Sequence, residues 1–145
     1  METIKLQEKT VYVTDWCYAE EAIFEEMRAI QRTLSLRYGL EIDLKEYQHV
    51  PKLDYSYSIV FFDFGGVLNV CFTEVDNYTR TILKFAEDNP NTFIVVTSTF
   101  SRYLRLVDDL IEEYFGESKL KNIFTDINSF GEFYKKYKEI NCALQ

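Results

Sequence analysis

The sequence predicts an α/β fold in which a mostly parallel five-stranded sheet is covered by helices on both faces. Short apolar segments alternate with longer segments of helical periodicity, which is typical of parallel strands joined by crossover helices. Two apolar segments, Ser58–Phe62 and Phe93–Val96, lack polar alternation, as strands buried on both faces do. Because such crossovers are right-handed, we expect a doubly wound three-layer sandwich of the flavodoxin-like kind, with strand order 2-1-3-4-5.

The chain begins with a short strand and a long helix. Val11–Thr14 is the first predicted strand, and residues 19–38 form the first predicted helix. Four apolar residues recur at helical intervals and therefore share one face of it: Ile23, Met27, Ile30 and Leu34. Gly39 is expected to end this helix, because glycine readily adopts the left-handed conformation of a C-cap.

The second predicted strand is Leu40–Leu44, in which apolar and charged residues alternate. This alternation is typical of a strand with one buried and one solvated face, so we place the strand at the edge of the sheet. Between Tyr47 and Tyr57 the chain has room for a crossover but hardly for a full helix, so this helix is reduced to a turn or the second strand pairs differently.

Capping patterns locate the remaining elements. Thr73 with Asp76, and Ser129 with Glu132, have the spacing of capping boxes at the start of helices. The remaining predicted elements are a helix at Glu74–Asp88, a helix at Arg102–Phe115, a strand at Asn122–Thr125 and a helix from Ser129 to Ile140. The chain has no repeat or linker composition, and 145 residues suit a single α/β domain over 1–145.

The charge and cysteine content restrict the function. The net charge of −8 disfavours direct binding to nucleic acid, because it repels phosphate backbones. We expect no membrane association, since no apolar run reaches the about 20 residues that span a bilayer. Three cysteines without C-x-x-C spacing indicate a cytoplasmic protein rather than a disulfide framework or a zinc site. Two interpretations of the acidic charge stay open, namely solubility and a surface that docks a basic protein.

Several tyrosines are candidate interface anchors. Aromatic residues make up 17% of the chain, and we expect most of them to pack in the core. Tyr55, Tyr57, Tyr134 and Tyr137 lie in polar surroundings, where exposed tyrosines often contact a partner protein.

Polar residues and glycines follow the strands on both sides of the expected switch point, where doubly wound sheets bind their ligands. The residues of this predicted crevice are Asp15, Trp16, Asp63, Phe64, Gly65, Gly66, Thr97, Ser98, Thr99 and Asp126. The carboxylates of Asp15 and Asp63 are candidate ligands for Mg²⁺, which prefers oxygen. The structural alternative is that these residue types end strands and cap helices for local hydrogen-bonding reasons.

The order of Asp15, Asp63 and Thr97 resembles that of response-regulator receiver domains, and 55-YSYSIVFFDF-64 resembles their third strand. The resemblance implies that Asp63 accepts a phosphoryl group beside Mg²⁺ and that Thr97 or Ser98 senses it. The lysine that this family carries after its fifth strand is Asp126 here, and the family's acidic pair is reduced to Asp15.

The segment 60-VFFDFGGVL-68 is similar to the nucleophile motif of haloacid-dehalogenase-like hydrolases, an apolar strand followed by D-x-D-G. The second aspartate, the general acid of that family, is Gly65 here, and losing a general acid typically costs about 10²–10⁴ in rate. The other positions that the resemblance assigns are Asp63, Thr97 or Ser98, Lys119 or Lys121, and Asp126.

Three functions therefore stay open. Because both resemblances lack a catalytic group, the leading hypothesis is a small acidic cytosolic regulator or inhibitor that binds another protein without catalysis. The alternative is a phosphoacceptor or phosphoester hydrolase that uses Mg²⁺ at the carboxyl ends of the strands. The third is a small-molecule or nucleotide sensor, in which Trp16 or Phe64 stacks on the ligand.

Overall fold

A computed structural model describes residues 4–6, 8–14, 20–49, 56–63, 72–97, 105, 108–109, 112–113 and 121–143 of the chain. The strands are β1 (Ile4–Lys5), β2 (Thr10–Thr14), β3 (Leu40–Glu41), β4 (Tyr47–His49), β5 (Ile59–Asp63), β6 (Phe93–Thr97) and β7 (Ile123–Phe124). The helices are α1 (Glu20–Tyr38), α2 (Phe72–Asp88) and α3 (Ile127–Ala143).

Five of the strands form one parallel sheet in the order β4-β2-β5-β6-β7. The central strand β5 is buried from Ile59 to Phe62, as its unbroken apolar sequence predicted. The α/β class and the parallel character of the sheet are thus confirmed. The arrangement is compatible with a flavodoxin-like fold.

Helices pack against both faces of the sheet. The ring of Phe61 meets Phe130 of α3 at a centroid distance of 5.8 Å, and the ring of Phe62 meets Phe85 of α2 at 6.3 Å. Successive strand residues point to opposite faces, so α3 and α2 lie on opposite sides of β5. α1 shares the α3 side, where its four predicted face residues are buried in one cluster with Phe61 and Phe130.

The predicted edge strand Leu40–Leu44 does not belong to the five-stranded sheet. Leu40-Glu41 pairs with Ile4-Lys5 in a separate two-stranded sheet, and Tyr47–His49 is the neighbour of β2. The alternation itself was interpreted correctly, because the three apolar residues of 40–44 are buried and the charged ones are exposed. The period of two identifies the buried face of an extended segment but not its pairing partner.

Between the two sheets, the two paired segments of the chain differ in length. Between the pairs Lys5–Glu41 and Tyr12–Tyr47, the N-terminal segment is one residue longer than the segment opposite it. Side chains bond to carbonyls in this interval. The Thr10 hydroxyl donates to the carbonyl of Asp43 at 2.9 Å, and the Gln31 amide donates to the carbonyl of Ile42 at 2.9 Å.

α1 and α2 match the prediction more closely at their C-terminal ends than at their starts, whereas α3 extends beyond the predicted helix Ser129–Ile140 at both ends. α1 ends at Tyr38 and α2 at Asp88, and Gly39 has the left-handed φ of 66° that was expected of a C-cap. α2 begins at Phe72, so Thr73 lies inside the helix rather than before it. For the predicted helix Arg102–Phe115, the described residues are all helical; these are Arg105, Asp108, Asp109, Glu112 and Glu113.

Asn122 connects the end of α2 to the strands beyond it. This buried side chain donates from Nδ2 to the carbonyls of Ala86 at 2.9 Å, Asn89 at 3.0 Å and Thr92 at 2.9 Å. The backbone carbonyl of Asn122 accepts the N–H of Ile94 at 2.7 Å. One side-chain amide therefore bonds to a carbonyl in the last turn of α2, where helices leave carbonyls without intrahelical partners, and to two carbonyls of the turn that follows.

Candidate functional site

The ends of three neighbouring strands form one row at the carboxyl edge of the sheet. Asp63 is the register partner of Thr14 on one side and of Thr97 on the other. The strand register thus brings together two of the predicted crevice residues, Asp63 and Thr97. Thr14, which is buried, was not among the predicted site residues, although its position before Asp15 at the end of a strand was a signal.

Most of the predicted crevice lies outside the described residues: Asp15, Trp16, Phe64, Gly65, Gly66, Ser98 and Thr99. The pairing of Asp15 with Asp63 around Mg²⁺ therefore stays a prediction. Within the described part of the chain, no group of three histidine, cysteine or acidic side chains is arranged to hold a metal ion.

Two predicted crevice residues have local structural roles. The hydroxyl of Thr97 donates to the carbonyl of Phe62 on the neighbouring strand at 3.2 Å. Asp126 is the N-cap of α3, because its carboxylate accepts the N–H of Asn128 at 3.3 Å and the hydroxyl of Ser129 at 3.4 Å. The predicted capping box at Ser129 is therefore wrong; Ser129 lies in the first turn and donates to the residue that caps the helix.

An exposed apolar stripe runs along one flank of α3. It consists of Phe133, Tyr137 and Ile140, which have exposed fractions of 40%, 40% and 61%. Their spacing places them on neighbouring positions of one helical flank. The rings of Phe133 and Tyr137 stack at a centroid distance of 6.0 Å and an interplanar angle of 19°. We call these three residues the α3 stripe.

The α3 stripe continues into the sheet. The ring of Phe124 on β7 lies 5.1 Å from that of Phe133, and the ring of Phe93 on β6 lies 5.5 Å from that of Tyr137. The half-buried rings of Phe93 and Phe124 also contact each other at 6.5 Å. The exposed rings of Phe133 and Tyr137 thus pack against the half-buried rings of Phe124 and Phe93.

The tyrosines that were predicted to be interface anchors differ in their exposure. Tyr57 and Tyr134 are buried, Tyr137 is exposed, and Tyr55 lies outside the described residues. Sequence reasoning missed Phe133 and Ile140, although their spacing from Tyr137 was visible. The signal was hard to use because α3 has apolar residues on more than one side, so periodicity alone did not separate the buried ones from the exposed ones.

Hydrogen bonds explain why the two buried tyrosines are structural. The Tyr57 hydroxyl donates to the carboxylate of Glu46 and accepts the Gln48 amide at 3.2 Å. Burial, followed by the neighbouring carboxylate of Glu8, raises the pKa of Tyr134. Both side chains are therefore held inside the protein, and the raised pKa keeps the Tyr134 hydroxyl in its neutral form.

Glu8 joins the N-terminal segment to α3. Its carboxylate forms an ion pair with Lys138, and both side chains are only partly exposed. Burial by itself would raise the pKa of Glu8, but the hydrogen bonds from Lys138 and Tyr134 outweigh it and leave this pKa below its ordinary value. The ion pair connects the N-terminal segment to the helix that carries the stripe.

A group of acidic side chains lies beside the end of β7. Four exposed helical residues have the spacing of one helix face, and we call them the acidic row: Asp108, Asp109, Glu112 and Glu113. The carboxylate of Asp108 accepts the hydroxyl of Thr125 at 3.1 Å, which holds the row next to the end of β7.

No known protein-family model matches this sequence, and no curated protein is similar to it. The resemblances to receiver domains and to haloacid-dehalogenase-like hydrolases therefore depend on the quoted residues alone. Among the helices in the described part of the chain, none combines the length and apolar composition that crossing a bilayer requires.

Proposed function

We propose that this protein is a small acidic regulator or inhibitor that binds another protein without catalysis. The observation that supports this function is the α3 stripe, in which two stacked aromatic rings and Ile140 are exposed side by side. Tyrosine and other aromatic side chains are enriched at the energetic centres of protein interfaces. Clustered exposure of this kind is more informative than isolated apolar residues, which are common on protein surfaces.

The surroundings of the stripe favour tight binding because they are already ordered. The face of α3 next to the stripe is held in the core by Phe130 and Tyr134, and the ion pair of Glu8 with Lys138 joins the helix to the N-terminal segment. Side chains that are stacked before binding lose less rotational freedom when a partner covers them. We infer that the partner meets a preformed surface.

The charge and fold complete the proposal. A net charge of −8 accelerates encounters with a basic partner and suppresses encounters with acidic ones. We assign the chain to the doubly wound flavodoxin-like class, with the parallel sheet and the helices on opposite sides of β5 as support. The cysteine spacing supports a cytosolic setting.

The test compares partner capture by two matched double variants. Phe133→Ser with Tyr137→Ser, the stripe variant, removes the two aromatic rings of the stripe, and Phe24→Ser with Leu36→Ser removes two exposed apolar residues from α1. A partner captured by the wild-type protein is identified by mass spectrometry, purified and titrated by calorimetry. We expect binding to weaken at least about tenfold in the stripe variant, equivalent to about 1.4 kcal/mol, and to change little in the α1 variant.

Two outcomes would reject this function. In one, no protein is captured by the wild-type chain. In the other, a purified partner binds the stripe variant as tightly as the wild type. Circular dichroism of each variant establishes that the fold is intact before binding is measured.

The second candidate is the phosphoacceptor or hydrolase that uses Mg²⁺. The row of Thr14, Asp63 and Thr97 at adjacent strand ends favours it. Trp16 is the single tryptophan of the chain, so its fluorescence can be followed during titration with Mg²⁺ and then with a fluoroberyllate phosphate mimic. A saturable change that is absent in Asp63→Asn would favour this candidate, whereas the binding function predicts a flat response.

A further inference from the structure

The edge of the sheet at β7 offers a place for another strand. Within the described part of the chain, β7 is the terminal strand of the sheet and pairs with β6 alone. A terminal strand presents backbone N–H and C=O groups that an added strand can bind. Extended segments of partner proteins frequently dock in this way.

The two faces beside this edge differ in chemistry. Phe124 contacts Phe133 on the face that α3 covers, and the next residue, Thr125, bonds to Asp108 of the acidic row. The helical segment that carries the acidic row connects β6 to β7, as α2 connects β5 to β6. Because such crossovers are right-handed, both lie on the face opposite α3, so the α3 stripe lies on one side of the edge and the acidic row on the other. The edge therefore has an apolar side and an acidic side.

We propose that the β7 edge binds an extended segment of the partner protein in which apolar and basic residues alternate. This inference depends on the proposed function, and it specifies the chemistry of the partner. A strand laid beside β7 directs alternate side chains to the two faces. Its apolar residues then cover the α3 stripe, and its lysine or arginine residues reach the acidic row.

Charge complementarity selects a basic partner rather than an acidic one. The exposed carboxylates of Asp109 and Glu113 in the acidic row attract lysine and arginine side chains and repel acidic ones. Geometry selects a strand rather than a helix, since a strand directs side chains to both faces of the sheet at once. Charged side chains can also protect a sheet edge from self-association. Peptide binding measures the docking role, and sedimentation measures self-association.

The experiment uses short synthetic peptides and the full chain. One peptide alternates phenylalanine or valine with lysine, a second has the same residues in two blocks, and a third alternates with glutamate in place of lysine. Fluorescence anisotropy measures binding, and amide hydrogen exchange reports protection at Ile123 and Phe124. We expect the alternating basic peptide to bind at least about tenfold more tightly than either control and to weaken as salt is added.

Variants at exposed positions connect this binding to the two faces. Asp109→Asn with Glu113→Gln neutralises half of the acidic row but leaves the hydrogen bond of Asp108 intact. Both this variant and the stripe variant should bind the alternating peptide several-fold more weakly than the wild type. Glu21→Gln with Glu25→Gln removes two exposed carboxylates from α1 and should leave binding unchanged.

The edge proposal is overturned if the block peptide binds equally well or if no peptide binds. It is also overturned if sedimentation shows that a second copy of the chain occupies the edge. Partner capture by the wild type, with loss in the stripe variant, would in each case still support the proposed function. The two proposals therefore fail in distinguishable ways.

Discussion

Gly131 of α3 lies directly against the ring of Tyr38 at the end of α1. A β-carbon built on Gly131 would lie 2.4 Å from Cδ2 of this ring, far inside van der Waals contact. The Tyr38 hydroxyl donates to Oδ1 of Asn128 at 2.6 Å, and Arg37 donates to the same oxygen at 3.0 Å. The contact between α1 and α3, and with it the position of the α3 stripe, depends on this close approach.

We expect Gly131→Ala to destabilise the protein by about 1–3 kcal/mol, because the added methyl group overpacks the contact with Tyr38. Alanine is intrinsically preferred over glycine in a helix by about 1 kcal/mol, so a loss of stability would identify the clash as the cause. Urea unfolding measures the change. In a Tyr38→Ala background the same substitution should be neutral or stabilising, and stabilisation in the wild-type background would contradict the prediction.

Asn122→Ala should lower the free energy of unfolding by about 1–3 kcal/mol. The substitution leaves the buried carbonyls of Ala86 and Thr92 without their side-chain donor. The matched control is Asn91→Ala, since Asn91 is exposed, and we expect it to change stability by less than about 0.5 kcal/mol. Equal effects of the two substitutions in chemical denaturation would contradict a special role for Asn122.

Substitutions at Asp126 distinguish the contribution of the helix cap from that of the negative charge. Asp126→Ala should cost about 0.5–2 kcal/mol of stability, because α3 loses its N-cap, whereas Asp126→Asn should retain most of it. Thermal unfolding of both variants measures the difference. Equal destabilisation by alanine and asparagine would show that the negative charge matters more than the cap.

The stability should depend on acid pH through Glu8. The pKa of Glu8 is lowered in the folded protein, so the folded state holds this proton less strongly than the unfolded state does. Its contribution is complete above the ordinary glutamate pKa of about 4.3 and is lost as the pH falls through the lower folded value. Glu8→Gln should flatten the stability profile in this acid range.

The control for Glu8 is Glu25→Gln, which replaces an exposed carboxylate of α1. Its profile should follow that of the wild type. Lys138→Met should also remove the loss of stability in acid, because the pKa of Glu8 is no longer lowered by its main partner. A steep acid transition that persists in both variants would assign the pH dependence to other groups.

Local patterns predicted the parts of the fold that depend on local geometry. The buried face of α1 follows from the 3.6-residue period of every α-helix. Gly39 ends this helix because glycine adopts the left-handed backbone conformation of a C-cap without steric cost. The burial alternation in 40–44 was correct for the same reason. Of the candidate site, the strand ends at Asp63 and Thr97 were predictable because parallel strands end at one edge.

Distant parts of the chain decided the rest. The edge strand at Tyr47–His49 depends on its pairing with β2, which lies more than 30 residues earlier in the chain, and the cap at Asp126 depends on where α3 begins after β7. The sequence by itself determined which residues are apolar, which face of α1 is buried and that the sheet is parallel. Only the tertiary structure decided that Gly131 receives the ring of Tyr38 and that the α3 stripe remains exposed, because these depend on how elements far apart in the sequence pack together.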